Sequence, residues 1–302
     1  MRTSILSFVS KLQNWMKPTS TFEQTPATAR TTIRGRLKEA SAAAKRQDWQ
    51  EAVRLYELAL EAYGGKVPQQ VQVALNNARR ARSEAETYRK NKLIFRAVAD
   101  PDKLVWVKLD RIIFKVTGEN SRSLHKNHIL PGDWDLLKSK IEDTVKYRAI
   151  IQHFRDGMQW EETDLFRIYA ERLSRGDSVR GCETILELKR SYELTVDQLY
   201  IGLQQRGFLL PRQRNREAND LPHIHIARDG EIIFGNGGNH RFAMAKLLGI
   251  DRMPCIVHAR HLDWQNVRER VLGNGIESAT RTYGPSLAHH PDLADIWGGD
   301  EN

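Results

Sequence analysis

Cysteine is almost absent from these 302 residues, Cys182 and Cys255 being the whole complement. Neither stands in a Cys-x-x-Cys pair or a zinc-type spacing, so a disulfide framework is excluded and a reducing, cytoplasmic setting is the expectation. Long apolar runs are missing as well. The longest early one, Ile5-Leu6 and Phe8-Val9, is broken by Ser7, far short of the roughly 18 consecutive apolar residues a membrane span requires. No transmembrane segment is expected. Proline is scarce, at 10 residues, while hydrophobic residues reach 40%, a balance that excludes wholesale disorder and collagen-like repeats.

Acidic residues are unevenly placed. The first 100 residues hold 18 basic and 9 acidic side chains, and the remaining 202 hold 29 of each, so the net charge of +9 lies in the first third. Residues 1–30 read as an amphipathic segment and linker. Ile5, Phe8, Val9, Leu12, Trp15 and Met16 recur at helical spacing over residues 1–22, which suits docking on the protein itself or lying at a membrane interface. The Thr/Ser/Pro-containing stretch from Pro18 to Thr32 follows. Residues 31–100 read as a helical arm. Ala43, Trp49, Ala52, Tyr56, Ala59 and Leu60, with a turn near Gln47-Asp48, resemble one tetratricopeptide-like hairpin over residues 36–63. A third helix follows Pro68 to about Lys92. One repeat cannot cover its own apolar face, so a solenoid is not expected. The basic run Arg79, Arg80, Arg82, Arg89, Lys90 and Lys92 is either a solvated helix face or a contact for nucleic acid or a protein. No aromatic residues interleave with it as stacking platforms would.

Residues 101–193 read as mixed and mostly helical. One or two strands are expected around Leu104 and Trp106, then helices over about 135–156 and 161–174, with Asp133 or Asp135 as an N-cap. Trp134 and Trp160 read as core anchors. A further domain is expected over 194–270 and a flexible Gly/Pro/His/Asp-rich tail over 271–302. The fold class is therefore α+β, a mainly helical N-terminal half with a small mixed α/β C-terminal domain.

Chemistry concentrates between 194 and 260. A helix ends at Gly207, and alternation on either side of Asp229-Gly230 marks a β-hairpin. A glycine turn, Gly235-Asn236-Gly237-Gly238-Asn239, opens a helix starting at His240-Arg241, and a strand follows near Pro254. Glycines permit close backbone approach, and a helix start offers unpaired N–H groups with roughly half a positive charge. Arg241 can grip a phosphate with two hydrogen bonds, and His240, partly charged near neutral pH, adds a donor. Asn239 caps the helix or binds ligand. The bland alternative is a tight corner with Arg241 in a structural ion pair.

These residues, over about 194–260, resemble the ParB/sulfiredoxin superfamily, which shows such a hairpin, a glycine-to-arginine turn opening a helix, and a proline-led strand. The superfamily includes CTP-binding segregation clamps, ATP-using sulfinic acid reductases and free serine kinases. The resemblance implies nucleotide phosphate held by Gly235, Gly237, Gly238, Asn239, His240 and Arg241, with ATP or another nucleoside triphosphate and Mg2+ as the cofactor. Asn239 stands where the sulfiredoxin cysteine would be, which speaks against sulfinic acid reduction. The residues Gly238-Asn239-His240-Arg241-Phe242-Ala243 lack the glutamate and two arginines of the segregation clamps. The pattern leans towards the kinase-like or uncharacterised branches, which implies an NTPase or an NTP-dependent phosphotransferase acting on a small hydroxyl compound. Such a reaction needs a carboxylate to orient the acceptor. Glu231 and Asp229 are the nearest in sequence, Glu231 being taken as catalytic beside His240 and Arg241. Either of them also reads as an ordinary hairpin residue.

His223, His225, His258 and His261 are close enough in sequence for a metal site to be conceivable, yet no standard zinc spacing is completed. Arg260, His261 and Trp264 read as a pocket mouth or as surface residues opening a helix. The competing reading for the whole chain is a non-enzymatic adaptor whose basic arm, residues 31–100, contacts nucleic acid or a protein.

Overall fold

The computed structural model describes residues 27–63, 68–118, 120–208 and 221–298. The amphipathic segment expected over residues 1–22 lies outside them. The chain divides into two units, with the boundary between Lys90 and Asn91.

The first unit is built from α1 (Ala27–Lys45), α2 (Trp49–Glu61) and α3 (Gln69–Ile94). Helix α1 takes in part of the expected linker, because Ile33 and Leu37, both fully buried, anchor a helix that extends back to Ala27. Ala43, Trp49, Ala52, Tyr56 and Ala59 are buried together with Val71, Leu75 and Ala78 of α3. The turn between α1 and α2 has Gln47 at φ 64°, and Asp48 caps α2 by accepting the Glu51 N–H at 3.1 Å. Much of the basic run on α3 is already neutralised: Arg79 pairs with Glu57 at 2.7 Å, Arg80 with Glu84 at 3.9 Å and Arg82 with Glu86 at 3.7 Å. This is the pattern of a solvated, ion-pair-laced helix.

The second unit is mixed α/β. Its sheet contains β1 (Leu104–Lys108), β2 (Phe114–Val116), β3 (His128–Leu130), β4 (Lys138–Lys140), β5 (His223–Ile226), β6 (Ile232–Phe234) and β7 (Arg252–His261). The order is β1-β7-β5-β6-β2-β4, and β3 pairs with the last part of β7. Strands from before residue 193 thus flank the three from after it, so one sheet spans the division expected between 101–193 and 194–270. Residues expected to be helical from 135 instead include β4, an edge strand on β2; the helix begins at Val145, capped by Thr144.

Alternate side chains feed two cores. Ile224, Ile226, Ile232 and Phe234 point to the larger one, while Val116, Ile233 and Ala259 join Trp134 on the other face. The helices are α4 (Val145–Phe154), α5 (Asp164–Ser174), α6 (Ile185–Tyr192), α7 (Gln198–Arg206), α8 (Asn239–Leu247), α9 (Leu262–Asn274) and α10 (Ile276–Tyr283). A π-turn over Glu193–Asp197 joins α6 to α7. Helix α8 serves two layers: Phe242 and Ala245 pack on the sheet, and Ala243 and Met244 join a third core around Trp160, Phe166 and Tyr192.

Two further expectations are corrected. Residues 271–298 are no flexible tail, because Leu287 and Leu293 fill the main core and Asp292, 3% exposed, binds Arg260 and Arg268. Asp133 and Asp135 cap no helix. Both receive the Arg228 guanidinium at 2.7 Å, which ties their loop to the β5–β6 hairpin. Among the described residues no helix is long and apolar enough to cross a membrane.

Candidate functional site

The glycine turn forms where β6 leaves the sheet. Gly238, at φ 79°, is the N-cap of α8 and offers no side chain to the first N–H groups of the helix. A Cβ there would lie 2.7 Å from Pro222 Cα. At Gly237 it would lie 2.5 Å from His223 Nδ1, and at Gly235 3.0 Å from both the His223 carbonyl and His225 Nε2. The close approach that these glycines permit is therefore to β5, on which the turn is pressed. Their presence is explained by packing alone and carries no ligand argument.

The cations around the helix start are a different matter. Lys115 of β2 donates to Asn239 Oδ1 at 2.7 Å, while the Asn239 amide donates to the Asn236 carbonyl at 3.0 Å. Asn239 thus holds a lysine at the helix start, a role absent from the sequence reading. Burial, and then the charge of Lys146 in the first turn of α4, push Lys115 down to about 8. Arg180, in a turn where it takes φ 55°, lies with its guanidinium carbon 4.9 Å from the centroid of the Tyr192 ring. Arg241 is half-buried on α8 itself. Among the described residues, no carboxylate pairs with Lys115, Lys146 or Arg180.

His240 sits inside this group, edge-on to Tyr192 at 5.6 Å between ring centroids. Its Nε2 is buried and has no hydrogen-bond partner among the described residues. Burial, then Arg180, Lys146 and Arg241, push its pKa down to about 3. The imidazole is neutral at pH 7, which corrects the expectation that it is partly charged there. Lys115, Lys146 and Arg180, with one neutral imidazole and a helix N-terminus, make a locus of positive potential among the described residues that suits a multiply charged oxyanion.

Glu231 is not brought to this place. It lies at the opposite end of β6 and on the opposite sheet face from Phe234, and it receives the Lys138 ammonium. Asp229 accepts the Glu231 N–H at 3.0 Å and so shapes the hairpin. Three of the four histidines gather beneath the turn. His223 and His258 stack at 3.7 Å, with His225 at 6.4 Å from His258. His225 is kept neutral, pushed down to about 3 by burial and then by His223 and His128. His261 instead caps α9, accepting the Asp263 N–H at 3.1 Å. Among the described residues no three His, Cys, Asp or Glu side chains are arranged to hold a metal ion. Trp264, 1% exposed, lines a cleft of about 470 Å3, whereas Arg260 does not line it; both bond Asp292.

The turn and its helix were readable in the sequence, but Lys115, Lys146 and Arg180 were not. They come from β2, α4 and a connecting turn, and nothing in their local sequence sets them apart from surface cations. No family model, no curated protein and no solved structure matches this chain.

Proposed function

We propose that the start of α8 binds a phosphorylated ligand, with a nucleoside triphosphate accompanied by Mg2+ as the leading candidate. One observation carries this reading: Lys115, Lys146 and Arg180, from three separate elements, converge on an uncapped helix start with no carboxylate partner among the described residues. Like charges that meet without a counter-ion are costly, and a phosphate chain repays that cost. Neutral His240 adds a buried ring nitrogen that has no hydrogen-bond partner among the described residues. The resemblance of residues 194–260 to the ParB/sulfiredoxin superfamily supports a nucleotide over other phosphates.

The residues present suit the phosphates better than the metal. Among the described residues no carboxylate stands with these cations, so Mg2+ would arrive with the nucleotide and be held by its oxygens. Phosphoryl transfer with Glu231 as the base gains no support, because Glu231 is engaged by Lys138 on the other face. The proposal is accordingly one of binding.

Thermal denaturation with ATP, CTP or tripolyphosphate and Mg2+ tests it. At 100 times Kd a ligand stabilises the native state by about 2.7 kcal/mol, or roughly 4–6 °C for a chain of this size. The shift should be lost in Lys146→Ala/Arg180→Ala and should shrink as pH rises through about 8, where Lys115 gives up its proton. A shift of equal size in the double variant, or none in the wild type with any of the three anions, refutes the reading.

A further inference from the structure

A cleft of about 680 Å3 runs along β1, away from the start of α8. One wall is Trp106 and Lys108 of β1, with Arg252 of β7; the other is the C-terminal segment ending in Trp297. Strand geometry fixes part of this arrangement. Residues 106 and 108 lie on one face of β1, and Lys108 is the register partner of Arg252, so a tryptophan and two cations share that face. Arg111, in the turn after β1, stands where this cleft meets a second one of about 470 Å3. The groove therefore continues past Arg111 and is no closed pocket.

Two features of this groove have no structural explanation. Trp297 is 38% exposed at the end of the last helical turn. Lys108 and Arg111 are exposed and pair with no carboxylate among the described residues, although Asp110 lines the same cleft and Arg252 has Asp251 at 3.5 Å. Beyond Arg111 the second cleft is lined by Asp229 and Glu231 as well as Arg228, so the cationic stretch is confined to the β1 side.

We infer that the β1 side of the groove binds a short stretch of single-stranded nucleic acid, with bases stacking on Trp106 and Trp297 and the phosphates tracking Lys108, Arg111 and Arg252. Indole faces beside a row of cations are the arrangement by which unpaired strands are held without sequence readout, since every base has a π-face and every linkage a charge. The groove being open past Arg111 favours a chain that runs through over a free nucleotide that ends there. This site is separate from the one at α8, and neither depends on the other.

Fluorescence anisotropy of labelled twelve-nucleotide oligo-dT and oligo-rU with the full chain tests the inference. The wild type should bind at least one of them with an affinity that falls as salt is raised. Trp297→Ala and Arg111→Glu, both at exposed positions, should each weaken binding roughly tenfold, and Arg241→Ala should leave it unchanged. Thermal melts of the variants check that they fold. Failure of the wild type to bind either strand overturns the inference. So does undiminished binding by Trp297→Ala and Arg111→Glu, or loss of binding in Arg241→Ala, which would assign the strand to the α8 site. Equal affinity for a mononucleotide and the twelve-mer would also overturn it, in favour of a free nucleotide.

Discussion

Two of the places where cations gather in the sheet-bearing unit, the C-terminal segment and the start of α8, differ in how their charges are met. At the C-terminal segment, Arg260 and Arg268 surround Asp292, which also accepts the Trp264 indole N–H at 2.9 Å; Arg268, fully buried, has a second partner in Asp295 at 2.8 Å. Burial works against the Asp292 carboxylate, but the two arginines win and hold it below the ordinary range. Around the start of α8, Lys115, Lys146 and Arg180 lie together with no carboxylate partner among the described residues. The first cluster is complete in itself. The second leaves three cations without a carboxylate partner among the described residues.

That difference can be broken by mutation, and the largest effect belongs to the complete cluster. Asp292→Asn leaves Arg268 buried with much of its compensation gone, a loss of about 3–5 kcal/mol by the behaviour of buried pairs deprived of one member. Urea denaturation should register it as a lower midpoint, and an unchanged midpoint would mean that Asp295 alone suffices.

Acid provides the next largest effect, because each cluster contains a neutral imidazole. His240 is pushed down to about 3, chiefly by burial, and His290, also chiefly by burial, to about 4. Both folded values lie below the ordinary 6.5, so the unfolded chain takes up protons that the folded chain refuses. Stability is therefore full above pH 6.5 and falls as the pH drops towards 4, by about 1.4 kcal/mol per pH unit for each ring. Denaturation midpoints measured between pH 7 and 4.5 should have a shallower slope in His240→Gln, by about half of what the two rings contribute.

The smallest effect has the opposite sign. Without ligand, Lys146→Ala should leave stability unchanged or raise it by roughly 0.5 kcal/mol, the scale of an exposed charge interaction, since it relieves repulsion instead of breaking a pair. In the presence of a saturating polyphosphate the same variant should melt below the wild type. A clear loss of stability without ligand would mean that Lys146 already has a structural partner.

What could be read in the sequence was local. The Asp229-Gly230 hairpin, the helix opening after Gly238 and the strand through Pro254 declare themselves through turn chemistry and periodicity within a few residues, as does the buried face of Trp49, Ala52 and Tyr56. What could not be read was long-range. Lys115 meets Asn239 across 124 positions, and Arg228 meets Asp135 across 93. No local pattern encodes either meeting. The C-terminal segment misled for a related reason: its Gly284, Pro285 and Pro291 sit at the starts of short helical turns whose anchors, Leu287 and Leu293, bury against a distant sheet. The glycines misled in the other direction, because a turn pressed on Pro222 and His223 has the same composition as one kept open for a ligand.

The sheet order also bears on how the chain acquires its structure. Strand β7, the last to be synthesised, pairs with β1, β3 and β5, so the keystone of the sheet arrives after every strand it must join. Until residue 261 has emerged, β1 and β5 have no common neighbour, and their edges are exposed to whatever else is nearby. A chain truncated before β7 would keep the β5-β6-β2-β4 ladder but leave β1 and β3 with no strand to hold them in register.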